Sequence, residues 1–121
     1  FLSQYDLSKK MLPNYSEHVQ STITYIQENL SAGLRVEDLA KRLFISRSSL
    51  ATKFRSEVGV SIGKYIDDQL MTAALLRVGR THDSIQDISR ELGFVDQCYF
   101  ARRFKQFHGV TPTEHRRRKQ I

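Results

Sequence analysis

The residue types that carry most enzyme and metal chemistry are few in this 121-residue chain, and their spacing forms no recognisable site. Its single cysteine, Cys98, can form neither an internal disulfide nor a thiolate cluster, and no motif places a histidine beside it as an activating base. The histidines, which share no close ligand spacing, are His18, His82, His108 and His115. No glycine-rich phosphate loop is present. The sequence therefore predicts no catalytic residue, no metal site and no cofactor, and it indicates a protein that is not an enzyme.

Basic residues are the polar side chains that do show a pattern. The formal net charge is +6, from 19 Lys and Arg against 13 Asp and Glu. Residues 1–34 hold two of the basic and three of the acidic residues, so the positive charge belongs to residues 35–121. Residues 102–119 combine seven basic side chains with a single acidic one, Glu114. Such clustering is typical of polyanion binding, because each neutralised phosphate releases counterions, although charge alone leaves a solvated basic surface open.

The elements that must position these side chains all have a helical period. Apolar residues recur at steps of three and four, with no sustained alternation, so we predict an all-α fold of about seven helices. We expect Ser16 to cap the first helix, which ends near Gly33, and a longer helix from Ile62 to stop at Gly79. Further helix starts are predicted at Ser46, Ser84, Asp96 and Thr111. The aromatic residues that this spacing assigns to the core are Tyr65, Phe94, Tyr99, Phe100 and Phe104.

Two segments of the chain are copies of each other. Residues 36–43 match residues 85–92 at an offset of 49, and residues 50–55 match residues 100–105 at an offset of 50. The change of offset predicts one inserted residue in the second copy, around residues 93–96. Each copy reads as a short helix, a tight turn and a longer helix with basic residues, which is the helix-turn-helix pattern.

The second copy contains the segments ISRELGF, YFARRFK and GVTP, at residues 88–94, 99–105 and 109–112. These segments resemble the signature of the AraC/XylS transcription regulators, and the resemblance extends over about 100 of the 121 residues. We therefore expect a DNA-binding domain over residues 16–121, preceded at residues 1–15 by a linker or the remnant of another domain. The predicted parts are a first helix-turn-helix at about 36–59, a linker helix at about 62–78, a second helix-turn-helix at about 85–109 and a C-terminal helix at about 112–119.

The resemblance also indicates which side chains contact DNA. The family's base-reading positions fall on Ser48, Ala51 and Thr52 in the first copy and on Gln97, Cys98, Ala101 and Arg102 in the second. Arginine can bond guanine O6 and N7 together and glutamine can do the same to adenine, whereas Ser, Ala and Thr offer short contacts or a methyl surface. We expect stronger base discrimination from the second copy. The basic side chains suited to phosphates are Arg47, Lys53, Arg55, Arg103 and Lys105.

Together these features predict a bacterial transcription regulator that binds double-stranded DNA, with two recognition helices in successive major-groove segments about 10 bp apart. The expected partners are promoter DNA and RNA polymerase, and we expect an N-terminal effector or dimerisation domain that this chain lacks. We expect no membrane contact and a cytoplasmic, nucleoid-associated location. Two alternatives stay open: a basic helical module that binds an acidic protein, and the DNA-binding half of a larger enzyme.

Overall fold

A computed structural model describes residues 15–119, and every regular element in that range is an α-helix. The predicted all-α class is therefore confirmed. In chain order the helices are α1 (Glu17–Glu28), α2 (Val36–Arg42), α3 (Arg47–Val58), α4 (Ile62–Arg80), α5 (Ile85–Glu91), α6 (Gln97–His108) and α7 (Pro112–Lys119). The linker or remnant predicted over residues 1–15 lies, except for Tyr15, outside the described residues.

The chain divides into two units, and the division falls inside α4. The first unit comprises Arg35–Tyr65 and the described part of Phe1–Asn29, while the second comprises Leu30–Leu34 and the described part of Ile66–Ile121. Each unit contains one of the two helix-turn-helix copies, α2 with α3 in the first and α5 with α6 in the second.

The core of the first unit is centred on α3, where Leu50 and Phe54 are fully buried. These two residues are four positions apart, so they lie on one side of the helix. The ring of Tyr65 meets that of Phe54 edge-on, with 5.6 Å between ring centroids. The other buried apolar residues of this unit are Val19, Ile23, Ile26, Leu39, Ala40 and Ile62.

The core of the second unit repeats this arrangement around α6. Phe100 and Phe104 are fully buried at the positions equivalent to Leu50 and Phe54. Phe94, from the turn before α6, packs against Phe100 with 5.0 Å between ring centroids. The remaining buried apolar residues of this unit are Ile66, Leu70, Met71, Ala74, Val78, Ile88 and Leu92.

Four predicted caps are formed by the side chains that the sequence indicates. Ser46 Oγ accepts from the Ser49 N–H at 3.0 Å, and Ser84 Oγ accepts from the Asp87 N–H at 3.0 Å. Asp96 caps α6 by accepting from the Cys98 N–H. At α7 the pair is reciprocal, since Glu114 N–H donates to Thr111 Oγ1 and Thr111 N–H donates to Glu114 Oε1. These bonds satisfy helix N–H groups that no intrahelical carbonyl can reach.

Ser16 stands at the N-cap position of α1 as predicted, but its side chain does not form the cap, and the predicted helix end was wrong. Ser16 makes no side-chain cap bond, and its backbone N–H instead donates to Glu57 Oε1 at 2.6 Å. The helix α1 ends at Glu28, several residues before Gly33. The reason is that residues 30–34 belong to the second unit, where the Ala32 N–H donates to the Leu92 carbonyl oxygen at 2.8 Å.

The predicted stop at Gly79 was also wrong, because α4 continues through it to Arg80. A Cβ atom at this position would lie 2.9 Å from His115 Nε2 and 3.5 Å from Lys119 Cγ. The glycine therefore allows α7 to approach α4 closely rather than ending the helix. Arg116 of α7 also contacts α4 here, since its Nε donates to the Val78 carbonyl oxygen at 3.0 Å.

Candidate nucleic-acid interface

The solvent-facing side of α3 carries the three first-copy residues predicted to read bases. Ser48, Ala51 and Thr52 are all exposed, because Leu50 and Phe54 direct the opposite side of the helix into the core. The surface here is a shallow open depression lined by Ser48, Ser49, Thr52, Lys53 and Ser56. The structure thus places hydroxyl and methyl groups together on one face, with a lysine at its side.

The corresponding side of α6 has a different chemistry. Gln97, Cys98 and Arg102 are exposed, and Ala101 is half-buried. The helix begins at Gln97 directly after its Asp96 cap, so the amide and the thiol lie in its first turn. This face therefore offers a hydrogen-bonding amide and a guanidinium where α3 offers small side chains.

Tyr99 is a residue of this face that the sequence analysis assigned wrongly to the core. It is 47% exposed, and the Arg102 guanidinium carbon lies 5.8 Å from its ring centroid. The spacing of three places Tyr99 close to Arg102 on the helix surface, which is a signal that the sequence did contain. Phe94, Phe100 and Phe104 are buried as predicted. Tyr65 is half-buried, with its ring against that of Phe54.

Four of the five basic residues proposed for phosphates lie at the surface around these faces. Arg47 begins α3 and lies 3.8 Å from Glu37, with both side chains mostly exposed. Arg55 and Lys105 are exposed, and Lys53 is half-buried beside Thr52. Hydrogen bonds from Thr111 lower the pKa of Glu114, and the nearby charge of Lys105 contributes to that shift. All four basic side chains therefore keep contact with solvent.

Arg103 differs from the other four because it has strong partners inside the second unit. Its Nη2 forms an ion pair with Asp67 of α4, and its Nη1 donates to Gln106 Oε1 at 3.3 Å. The hydrogen bond with Asp67 raises the pKa of Arg103, and both side chains are about one-third exposed, at 31% and 32%. Sequence analysis missed this pair because the two residues are 36 positions apart. The structure therefore favours a role for Arg103 in attaching α6 to α4.

Part of the C-terminal basic cluster also serves packing within the second unit. Arg116 is half-buried, whereas Arg117, Arg118 and Lys119 are exposed. Earlier in the same unit, Arg77 pairs with Asp83 at 2.9 Å and with Glu91 at 2.6 Å, and the hydrogen bonds from Arg77 lower the pKa of Asp83. These pairs link α4 to the segment that precedes α5 and to the last residue of α5.

Among residues 15–119, no three His, Cys, Asp or Glu side chains come together as a metal site. No helix that the structure describes is both long and apolar enough to cross a membrane. The arrangement that remains is two exposed polar helix faces, each following a short helix and a tight turn, with basic residues beside them. That arrangement defines a helix-turn-helix DNA-binding protein.

Comparison with known proteins identifies the family. A helix-turn-helix domain family model matches residues 39–118. The arabinose operon regulatory protein of Escherichia coli K12 is 30% identical over 111 residues, which is 91% of this chain and 38% of that protein. The C-terminal domain of the response regulator AraT from Geobacillus stearothermophilus is 29% identical with a TM-score of 0.80, and the match covers 84% of this chain and 85% of that domain. The chain belongs to the AraC/XylS family of DNA-binding transcription regulators.

The fold is also that of a domain solved with DNA. The DNA-binding domain of the transcription factor AdpA, in complex with a target DNA, matches 87% of this chain with a TM-score of 0.79 and 22% identity, covering 95% of that domain. At this identity the match concerns the fold. The chain spans about 38% of the length of the arabinose regulator, so it corresponds to only part of that protein.

Proposed function

We propose that this chain recognises promoter DNA by placing α3 and α6 each in its own segment of the major groove. The observation that carries the proposal is the repeated exposure of one polar face on each recognition helix, opposite a fully buried pair of apolar residues. An α-helix fits the major groove, where all four base pairs present different donor and acceptor patterns.

The two faces read bases with unequal strength in this proposal. Arg102 bonds guanine O6 and N7 with its planar fork, and Gln97 bonds adenine, so the half-site of α6 is the more sharply defined. Cys98 and Ala101 make short-range contacts beside them. Ser48, Ala51 and Thr52 make hydroxyl or methyl contacts that tolerate several bases, so α3 contributes less discrimination. The exposure of these residues supports the assignment, and Ala101 is the least accessible of them.

Phosphate contacts orient the protein in this account. Arg47, Lys53, Arg55 and Lys105 flank the two faces and neutralise phosphates, while helix N-termini add backbone N–H donors. Arg103, which sequence analysis placed in this group, supports α6 through Asp67 instead. We expect the affinity of the whole surface to fall steeply with salt, because each neutralised phosphate releases counterions.

The whole protein is proposed to have further parts. Because the matched relative is much longer than the aligned segment, we infer an N-terminal effector or dimerisation domain and a contact with RNA polymerase at the promoter, in the cytoplasm at the nucleoid. The match to transcription regulators supports a regulator rather than an enzyme.

The experiment that tests the function is selection of binding sites from random duplexes by the purified chain, followed by a salt titration on the best site. We expect a selected sequence with two unequal half-sites and a steep loss of affinity with salt. Recovery of no preferred sequence at any salt concentration would contradict the proposal and favour a basic surface that binds another partner.

A further inference from the structure

The side chain of Arg102 contacts an aromatic ring. Its guanidinium lies over the ring of Tyr99, within the distance at which a cation is attracted to an aromatic face. Elsewhere on α6, Arg103 is held by Asp67, and on α5, Arg90 is held by Asp87. Over the range that the structure describes, no ion pair competes with the ring for Arg102.

The Tyr99 ring also contacts a residue of the turn before α6. Phe94, which is nearly buried, lies 6.2 Å from it between ring centroids, at an angle of 50°. Phe94 in turn packs on the fully buried Phe100. Phe94, Tyr99 and Arg102 all line one groove of about 390 Å³. A chain of contacts thus runs from the core to the Arg102 guanidinium.

The contact with the ring agrees with the direction in which an α-helix projects its long side chains. Long side chains on a helix lean toward its N-terminus, so Arg102 extends back over the turn that contains Tyr99. The N-terminal part of a recognition helix is the part that meets base edges in helix-turn-helix proteins. The position over Tyr99 therefore directs the guanidinium toward the end of α6 where Gln97 and Cys98 are exposed.

We propose that Tyr99 is a positioning residue for base recognition, which holds the Arg102 guanidinium ready to bond a guanine before DNA arrives. The proposal rests on the proposed function, in which Arg102 reads a base. An arginine free in solution loses rotamer freedom on binding, and a partner that already orders it reduces that loss. The first copy provides the contrast, because Ser49 and Thr52 stand at the positions of Tyr99 and Arg102.

The test separates the aromatic face from the bulk of the side chain. Tyr99→Phe keeps the ring, Tyr99→Leu keeps apolar bulk against Phe94 but removes the aromatic face, and Arg102→Ala removes the group being positioned. Phe107→Leu is the matched control, because Phe107 is another half-exposed aromatic residue of α6 and its ring contacts His108 rather than an arginine. Each variant is measured on the selected duplex and on the duplex with the base pair assigned to Arg102 replaced.

The readout is the ratio of the two dissociation constants, which is unaffected by a change in the folded fraction of a variant. We expect Tyr99→Phe and Phe107→Leu to keep the wild-type ratio and Tyr99→Leu to lower it about two- to fivefold. In the Arg102→Ala background, Tyr99→Leu should cause no further change in the ratio.

Failure of the inference and failure of the function give different results. If the wild-type protein discriminates the two duplexes and Tyr99→Leu does so equally well, Tyr99 does not position Arg102. The same conclusion follows if Tyr99→Leu lowers the ratio as much with Ala at position 102 as with Arg. If the wild-type protein binds both duplexes alike, Arg102 reads no base, and both the assignment and the inference that depends on it are wrong.

Discussion

Phe44 and Gly93 occupy the same position in the two helix-turn-helix turns, and both have a left-handed backbone, with φ of 55° and 89°. In each turn the next residue donates its N–H to an equivalent carbonyl oxygen, Ile45 to Ala40 at 3.1 Å and Phe94 to Ser89 at 3.0 Å. The turn geometry thus requires a positive φ whichever residue is present. Glycine adopts it without strain, and phenylalanine does not.

The first prediction concerns this strain. Phe44 is 97% exposed, so removal of its side chain loses almost no packing contacts. We expect Phe44→Gly to raise the free energy of unfolding by up to about 1 kcal/mol, because relief of the left-handed strain exceeds the entropy cost of a glycine. Chemical denaturation of the two proteins measures the difference.

Gly93, which occupies the position of Phe44 in the second copy, provides the control. A Cβ atom at Gly93 would lie 2.2 Å from Ser31 Oγ and 3.0 Å from the Ala32 nitrogen. Gly93→Ala should therefore lower the free energy of unfolding by about 1 to 3 kcal/mol. A loss of stability in Phe44→Gly of the same size would show that the side chain of Phe44 contributes more than its exposure implies.

The second prediction concerns the two cores. Phe54 and Phe104 are fully buried at equivalent positions, so replacement of either with alanine should cost about 3 to 5 kcal/mol. Such a loss is a large part of the total stability of a small domain, and DNA binding should fail through unfolding. Circular dichroism during heating measures the effect, with Phe107→Ala as the control at a half-exposed position. Equal melting temperatures for the Phe104 and Phe107 variants would contradict the assigned core.

The third prediction concerns Arg103 and Asp67. Because the pair is about one-third exposed, solvent screens it, and Asp67→Ala or Arg103→Ala should each cost about 1 kcal/mol or less. The exchanged double variant, with Asp67→Arg and Arg103→Asp, should recover stability relative to Arg103→Asp alone. Thermal unfolding measures this coupling. Two results together would contradict this role: a double variant no more stable than Arg103→Asp, and a shallower salt dependence of DNA binding in Arg103→Ala. They would show that Arg103 contacts DNA phosphates instead.

The fourth prediction concerns pH. Burial lowers the pKa of His115 below its ordinary value of 6.5, and the charges of Lys119, His108 and Arg118 add to the shift. The unfolded chain therefore binds a proton at a higher pH than the folded chain does. Stability contributed by this group is complete above pH 6.5 and is lost as the pH falls toward and through the lowered pKa.

Melting temperatures between pH 7.5 and pH 5 test this sign. We expect the wild-type melting temperature to fall more steeply over that range than that of His115→Gln, whatever the stability of the variant at pH 7.5. His82→Gln, at an exposed position, is the comparison variant that likewise replaces one histidine with glutamine. A wild-type slope equal to that of His115→Gln would show that His115 is not coupled to folding.

Local sequence rules predicted the parts of this fold that depend on neighbouring residues. The caps at Ser46, Ser84, Asp96 and Thr111 each join residues two or three positions apart, and the one-residue insertion before α6 follows from the change of repeat offset. The turn between α2 and α3 has four residues and the turn between α5 and α6 has five. Such features need only the order of residue types along the chain.

Features that depend on distant contacts were not predictable in this way. Gly79 was expected to end α4, but its role is set by His115, and Arg103 was assigned to phosphates without knowledge of Asp67. Tyr99 was assigned to the core because helical spacing cannot separate a residue at the edge of an apolar stripe from one at its centre. The spacing of three between Tyr99 and Arg102 allowed a contact, but only the structure shows that Tyr99 is exposed and that its ring lies beside Arg102.

The most direct test of the division between base and phosphate contacts compares Arg102→Ala with Lys53→Ala in site selection at two salt concentrations. We expect Arg102→Ala to cost about 1 to 3 kcal/mol on the best site and to relax preference at one or two base pairs. Lys53→Ala should weaken all sequences alike and make the salt dependence shallower by about one unit of slope. If Arg102→Ala instead weakens every sequence equally and leaves base preference unchanged, Arg102 is a phosphate contact and the central assignment is wrong.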